Sequence, residues 1–194
     1  MAQFLDSTHG LAPVLSESIE AVLGDWNLQF GSEFRPRAVG GVDQQPSPRC
    51  WTLFQLGLIG SERVPFDVWV DEDLVRSLVL AIGFVDLPEV GFEGDSLDAV
   101  GEFANLMAGS LNRVLSARDP SLRVTQAAGD AVVRLCVETE VEARMGTEEG
   151  SILALFSVDS GTEHEHALVV DLSPRTLSTL AGTVERPDAD ERVA

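Results

Sequence analysis

Glu102 and Asn105 stand three positions apart in a stretch with the periodicity of a helix, predicted from about Leu97 to Ala117 and stopped by Asp119-Pro120. On a wheel of about 100° per residue, Leu97, Val100, Phe103, Ala104, Met107, Ala108, Leu111, Val114 and Leu115 fill one broad apolar arc. Asp98, Glu102, Asn105, Gly109, Asn112, Arg113 and Ser116 fall opposite, in a stripe about 100° wide. At i and i+3, Glu102 and Asn105 project from the same face. The carboxylate brings charge and acceptor oxygens, whereas the carboxamide both donates and accepts hydrogen bonds. Gly109 lies one turn further along the stripe. A glycine costs about 1 kcal/mol in a helix interior relative to alanine, and is easiest to rationalise where another backbone must come close. A polar stripe on an amphipathic helix is most often a solvated face, so the wheel alone leaves solvation and function both open.

Other chemistry-bearing residues offer less. His164-Glu165-His166 would place both imidazoles on one side of a strand, a pair that could bind a metal. No third ligand is identifiable, and Gly161-Thr162-Glu163 reads as a hairpin turn, so a solvent-exposed pair is expected and no metal site is assigned. The chain has no lysine and therefore no phosphate-cradling Gly-x-x-x-x-Gly-Lys-Ser/Thr loop. Cys50 and Cys136 lie in apolar, strand-like runs and read as two buried reduced thiols.

The elements that must position the helix come from 194 residues with 44% apolar content, enough for one folded domain of ordinary size. With 32 acidic side chains against 13 basic ones, all arginine, the net charge is −19. That balance argues against nucleic acid and against an anionic membrane surface, both of which need clustered basic groups. Met1 to Gly10 lacks a basic start followed by an apolar core, and no apolar run approaches the ~20 residues of a membrane span. A cytoplasmic protein is expected.

A first helix is predicted from about Pro13 to Leu23, closed by Gly24, then a short strand over Trp26 to Phe34 and a loop over Arg35 to Arg49. Cys50 to Ile59 and Val64 to Val70 form a hairpin, followed by a helix with Asp71 as N-cap and Gly83 as its end. Beyond the Glu102 helix, strands are predicted over Arg123–Ala127, Ala131–Ala143, Ser151–Val158 and Ala167–Leu172. A short helix opens at Ser173-Pro174 and ends at Gly182, and residues 183–194 form a polar, disordered tail. The run from Val70-Asp71 to Ala81 echoes Val170-Asp171 to Ala181, by internal duplication or by coincidence of two strand-to-helix junctions. The fold class is α+β, with helices packed on one face of a largely antiparallel β-sheet.

The fuller string Asp98-x-x-x-Glu102-x-x-Asn105-x-x-x-Gly109 resembles the signature of the CheC/CheX/FliY chemotaxis phosphatases, which dephosphorylate the response regulator CheY. The opening helix and the hairpin with its following helix are similar to the same elements of the CheX type. A single Glu-x-x-Asn favours that type over CheC, which has two such helices; at Glu17 and Glu20 the spacing is present but the amide is missing. The resemblance implies one CheX-like domain over residues 1–182, acting as a phosphatase on the aspartyl phosphate of a CheY-like receiver domain.

In a loose phosphoryl-transfer transition state positioning does most of the work. By resemblance, Asn105 would orient the attacking water, and Glu102 would pair with a lysine of the receiver's active site. The helix stripe adds Asp98, Gly109, Asn112 and Arg113 as partner-binding candidates. No cofactor of its own is implied, since the receiver would hold the Mg²⁺. The CheX type also implies a homodimer, for which unpaired sheet edges offer a route. The alternative function is a non-catalytic receiver-binding module of a two-component or motility complex.

Overall fold

The computed structural model describes residues 3–4, 12–37, 51–60, 63–82, 95–126, 133–159 and 165–184. In chain order they form β1 (Gln3–Phe4), α1 (Ala12–Phe30), β2 (Arg35–Arg37), β3 (Trp51–Ile59), β4 (Arg63–Asp71), α2 (Glu72–Ala81) and α3 (Asp95–Arg118). There follow β5 (Arg123–Gln126), β6 (Val133–Cys136), α4 (Glu138–Arg144), β7 (Ile152–Asp159), β8 (Glu165–Leu172) and α5 (Pro174–Val184). The strands make one sheet in the order β1-β7-β8-β4-β3-β5, with β2 also beside β7 and β6 also beside β3. Among the described residues only the β1–β7 pairing is parallel. The α+β class read from the sequence is the class observed.

Period-two alternation divides the sheet into two faces. Phe54, Leu56, Val68, Val70, Ala154, Phe156, Leu168 and Val170 join the main core, together with side chains of α1, α2, α3 and α5. Trp26 and Phe54 both meet Phe103 edge-on, at centroid distances of 5.5 and 6.3 Å, tying α1, α3 and the sheet together. The opposite face carries a smaller cluster of Trp51, Leu53, Trp69, Cys136, Leu153, Leu155 and Val169, to which α4 contributes Val141.

The two hairpins β3–β4 and β7–β8 abut through their second strands, and a helix follows each. Trp69 pairs with Val169, flanked by Val68 with Val170 and Val70 with Leu168. Residues one hundred positions apart therefore meet at the centre of the sheet, and an approximate two-fold axis relates the two echoing junctions. The junctions are built differently. Asp71 accepts from Leu74 N (2.7 Å), capping α2 as expected, and from Ala167 N (2.6 Å), binding that cap to β8. At α5 the cap is Ser173, whose hydroxyl accepts from Thr176 N at 3.2 Å.

Three local expectations are corrected. The first helix does not end at Gly24, and the strand expected over Trp26–Phe34 does not form there. Trp26 extends the apolar stripe and is fully buried, so the helix runs on to Phe30. Gly31, at φ 69°, follows it and donates to Asn27 O at 2.8 Å, the left-handed termination that glycine permits. Asn27 secures the exit by accepting from Phe34 N (2.9 Å) and donating to Phe34 O (2.7 Å). Second, β2 forms at Arg35–Arg37, within the stretch read as a loop; 38–50 lies outside the described residues.

Third, the strand expected over Ala131–Ala143 is only β6, and Glu138 onwards is helix α4. The Val137/Val141 spacing that matched a strand is equally a helical i, i+4 spacing. Glu140 accepts from Val137 N at 3.2 Å to close the first turn. The Gly83 end of α2 and the tail beyond Val184 also fall outside the described residues.

Candidate functional site

Helix α3 buries Ala99, Val100, Phe103, Ala104, Met107, Ala108, Leu111, Val114 and Leu115, which is the apolar arc read from the wheel; the side chain of Leu97 is outside the description. That burial fixes the rotation of the helix and turns Asp98, Asn105, Gly109 and Arg113 to the exterior, with Glu102, Asn112 and Ser116 half-buried. The C-terminal end is tied to α1 by Arg118 Nη2, 2.7 Å from Glu17 Oε2.

Glu102 and Asn105 touch: Asn105 Nδ2 donates to Glu102 Oε2 at 3.4 Å. Each is also approached by a glutamine from a neighbouring element. Gln29 of α1 donates to Glu102 Oε1 at 3.4 Å, and Gln126 of β5 donates to Asn105 Oδ1. The result is a polar row, Gln29–Glu102–Asn105–Gln126, across three elements. A carboxamide has two N–H donors and an oxygen with two lone pairs. Asn105 uses one of each in this row, and the other N–H and lone pair are available to orient a water molecule.

The remaining stripe residues divide. Asn112 Oδ1 accepts from Val124 N at 3.2 Å and so anchors β5 against α3. That anchor brings Gln126 back alongside Asn105. Arg113 lies 2.9 Å from Asp25 of α1, and its hydrogen bond holds the Asp25 carboxyl below its ordinary range against the opposing effect of burial, with a further hydrogen bond from Ser110 helping. Exposed pairs of this kind contribute little stability. Among the described residues a Cβ placed on Gly109 would meet nothing within 4 Å, so none of them requires that glycine. Asp98 is exposed next to the motif.

Gln29, Gln126 and Asp25 escaped the sequence reading. Gln29 lay in the stretch misread as a strand, and no local spacing connects Gln126 to Asn105. Both are brought in by tertiary packing alone. The expected exposed histidine pair is corrected as well: His166 is 3% exposed, with Nε2 3.3 Å from Ser77 Oγ of α2. Strand β8 begins two residues earlier than expected, at Glu165, so His166 pairs with Val158 inside the sheet. His164 is outside the described residues.

With α1, α2, α3 and α5 over one face of the sheet and α4 on the other, the chain has the fold seen in CheX, FliY and the FliM middle domain. No family model matches the chain, and no curated protein matches it. Among solved structures it is similar to Thermotoga maritima FliY (12% identity, 90% of this chain and 93% of that one, TM-score 0.71). It is similar also to the chemotaxis protein CheX from Vibrio vulnificus (17% identity, 82% and 98%, TM-score 0.52). A third match is the FliM–SpeE complex from H. pylori (12% identity, 94% and 100%, TM-score 0.62). At these identities the likeness establishes the fold. No helix among the described residues is long and apolar enough to cross a membrane.

Proposed function

We propose that this chain is a phosphatase for the aspartyl phosphate of a CheY-like receiver domain. The observation that carries the reading is the Glu102–Asn105 pair, mutually hydrogen-bonded and directed outward from α3 between Gln29 and Gln126. In this mechanism the receiver inserts against the α3 ridge and supplies its own Mg²⁺ and the activated acyl phosphate. Asn105 holds the attacking water in line with phosphorus through its unused N–H and lone pair. Glu102 engages the receiver's active-site lysine and fixes the register. The row of glutamines limits the rotamers of both side chains in advance, which lowers the ordering cost of the encounter. Gly109 leaves the ridge low where the partner's backbone approaches, while Asp98 and Arg113 border the contact; Asn112 serves it through β5.

A second reading, a receiver-binding module without hydrolysis, is favoured by the likeness to FliM, whose solved structures include complexes with FliG and SpeE. Autophosphorylated receiver, with and without this protein, separates the two. Accelerated phosphate release supports the phosphatase; binding with phosphate retained supports the module. A homodimer through sheet edges belongs to the same proposal. The edges available are β1 and β2 beside β7, and β5 and β6 beside β3. A monomeric mass by sedimentation at micromolar concentration would rule it out.

A further inference from the structure

Strand β5 is four residues long and, among the described residues, pairs only with β3. Its last residue is Gln126, whose side-chain amide reaches Asn105. The end of a short edge strand opens readily, so the place of that amide depends on what holds the strand end. Asn112 secures Val124, two residues earlier, from the helix side of the sheet. Arg63, the first residue of β4, secures the end from the other side. Ile59 stands opposite both Arg63 and Arg123, and Gly57 stands opposite Thr125. With period-two alternation, Arg63, Gly57 and Thr125 share the face that carries Trp51 and Leu53. Gln126 alternates with Thr125 and faces the α3 side with Val124, a member of the main core. The Arg63 side chain crosses β3 over Gly57, and its Nη2 donates to Gln126 O at 2.7 Å and to Thr125 Oγ1 at 3.4 Å. A Cβ on Gly57 would stand 2.9 Å from Arg63 Nε and 3.4 Å from Nη2. Glycine at this position leaves the path open.

We propose that Arg63 is a positioning residue for the Glu102–Asn105 site, holding the Gln126 main chain from the far face of the sheet so that the Gln126 side chain meets Asn105 on the near one. Both acceptors of Arg63 are neutral oxygens, so its contribution is geometric more than electrostatic. The rigid guanidinium fork suits that task, since Nη2 has two N–H groups, one for each acceptor. The contacts run from Arg63 to Gln126 and from Gln126 to Asn105, with no bond from Arg63 to either motif residue among the described residues. Arg63 therefore reaches the water-orienting amide only through Gln126. Its effect on rate rests on the phosphatase reading above; its effect on the Asn105 side chain does not.

Two measurements on variants of the full chain test this, with thermal melts to verify folding. The first needs no receiver. The Asn105 side-chain amide signals in a proton–nitrogen NMR spectrum are assigned by their loss in Asn105→Ala. In Arg63→Ala they should move toward their positions in Gln126→Ala. Gly57→Ala displaces the flexible Arg63 side chain from its acceptors while keeping its charge. It should move the signals the same way, and it carries the test if Arg63→Ala fails to fold. The second measurement is single-turnover dephosphorylation of a receiver. Arg63→Ala should lower the rate at saturating receiver by about threefold or more, with half-saturation unchanged. In a Gln126→Ala background it should lower the rate no further. Asn105 signals left unmoved in either folded variant, or an equal loss of rate with and without the Gln126 side chain, would overturn the proposal. A wild-type chain that leaves the receiver phosphate intact overturns the phosphatase reading instead, and the spectra then decide the role of Arg63 alone.

Discussion

Glu102 on the α3 ridge and Asp171, in a cavity of about 430 Å³ on the far sheet face, are carboxylates held in opposite ways. Glu102 is half-buried on a rigid helix and contacted by two side-chain amides at 3.4 Å, contacts long enough for a partner to replace. Asp171 is more deeply set, gripped by a backbone N–H at 2.7 Å and crowded by like charge. The ridge projects outward and suits a macromolecule with a matching surface. The cavity recedes, and the guanidiniums of Arg144 and Arg175 line it as well as carboxylates. Geometry separates the two carboxylates more than their own charge does.

The sharpest way to break this comparison is at Asn105. Asn105→Ala should cut receiver dephosphorylation by about 10²-fold or more, the scale of one preorganised polar group, with receiver binding and melting temperature close to wild type. A folded variant acting at the wild-type rate would remove the water-positioning role and leave the binding module as the better reading. Glu102→Ala should instead weaken receiver binding by about ten- to a hundredfold, below the upper guide of about 2–5 kcal/mol for a fully desolvated charge pair. Glu102→Lys should be worse, and a binding isotherm for each checks the order.

Asp171 makes a prediction of opposite kind, about stability and pH. Burial first, then the charges of Asp67 and Glu148, push its carboxyl up to about 6 against an ordinary 3.8, so the folded state holds the proton more tightly than the unfolded one. Stability from this group is therefore highest below about pH 4, falls as pH rises to about 6, and stays reduced above it. The groups facing it are Asp67 on β4, Glu148 in the turn, Arg144 on α4 and Arg175 on α5. Asp171→Asn should raise stability by about 1–2 kcal/mol at about pH 7 and by little at about pH 3.5, below the ordinary carboxylate value, as read by urea melts at both. The smallest effect belongs to Gln126→Ala, which frees the Asn105 amide. A loss of about three- to tenfold in kcat with KM nearly unchanged is expected from looser positioning, by single-turnover kinetics.

Much of the inner face was legible in the sequence. Apolar spacing identified α2 and α3, Asp71 revealed its cap, and the arc on α3 put Glu102 and Asn105 on the side away from the core. Legibility failed where two periods or two glycines competed. Gly24 looked like a stop, but Trp26 continued the buried stripe, and Gly31 ended the helix. Val137 and Val141 fit a strand and a helix equally, and the glutamate-rich first turn decided for α4. What no local pattern could disclose was assembly at a distance: Gln29 and Gln126 beside the motif, His166 under α2, and Asp67 across from Asp171.

The meeting of Trp69 with Val169 has a consequence for how the chain is made. Each hairpin needs only nearby residues, so β3–β4 can close early during synthesis. The inner edge of β4 then has no partner until β8 is translated, about a hundred residues later. At roughly 5–20 residues per second that interval lasts about 5–20 s. Throughout it, the amides and carbonyls of Asp67 to Val70 remain open to any passing strand, including the same strand of another nascent chain. Crowded polysomes, more than the finished protein, are where this molecule is most exposed to mispairing.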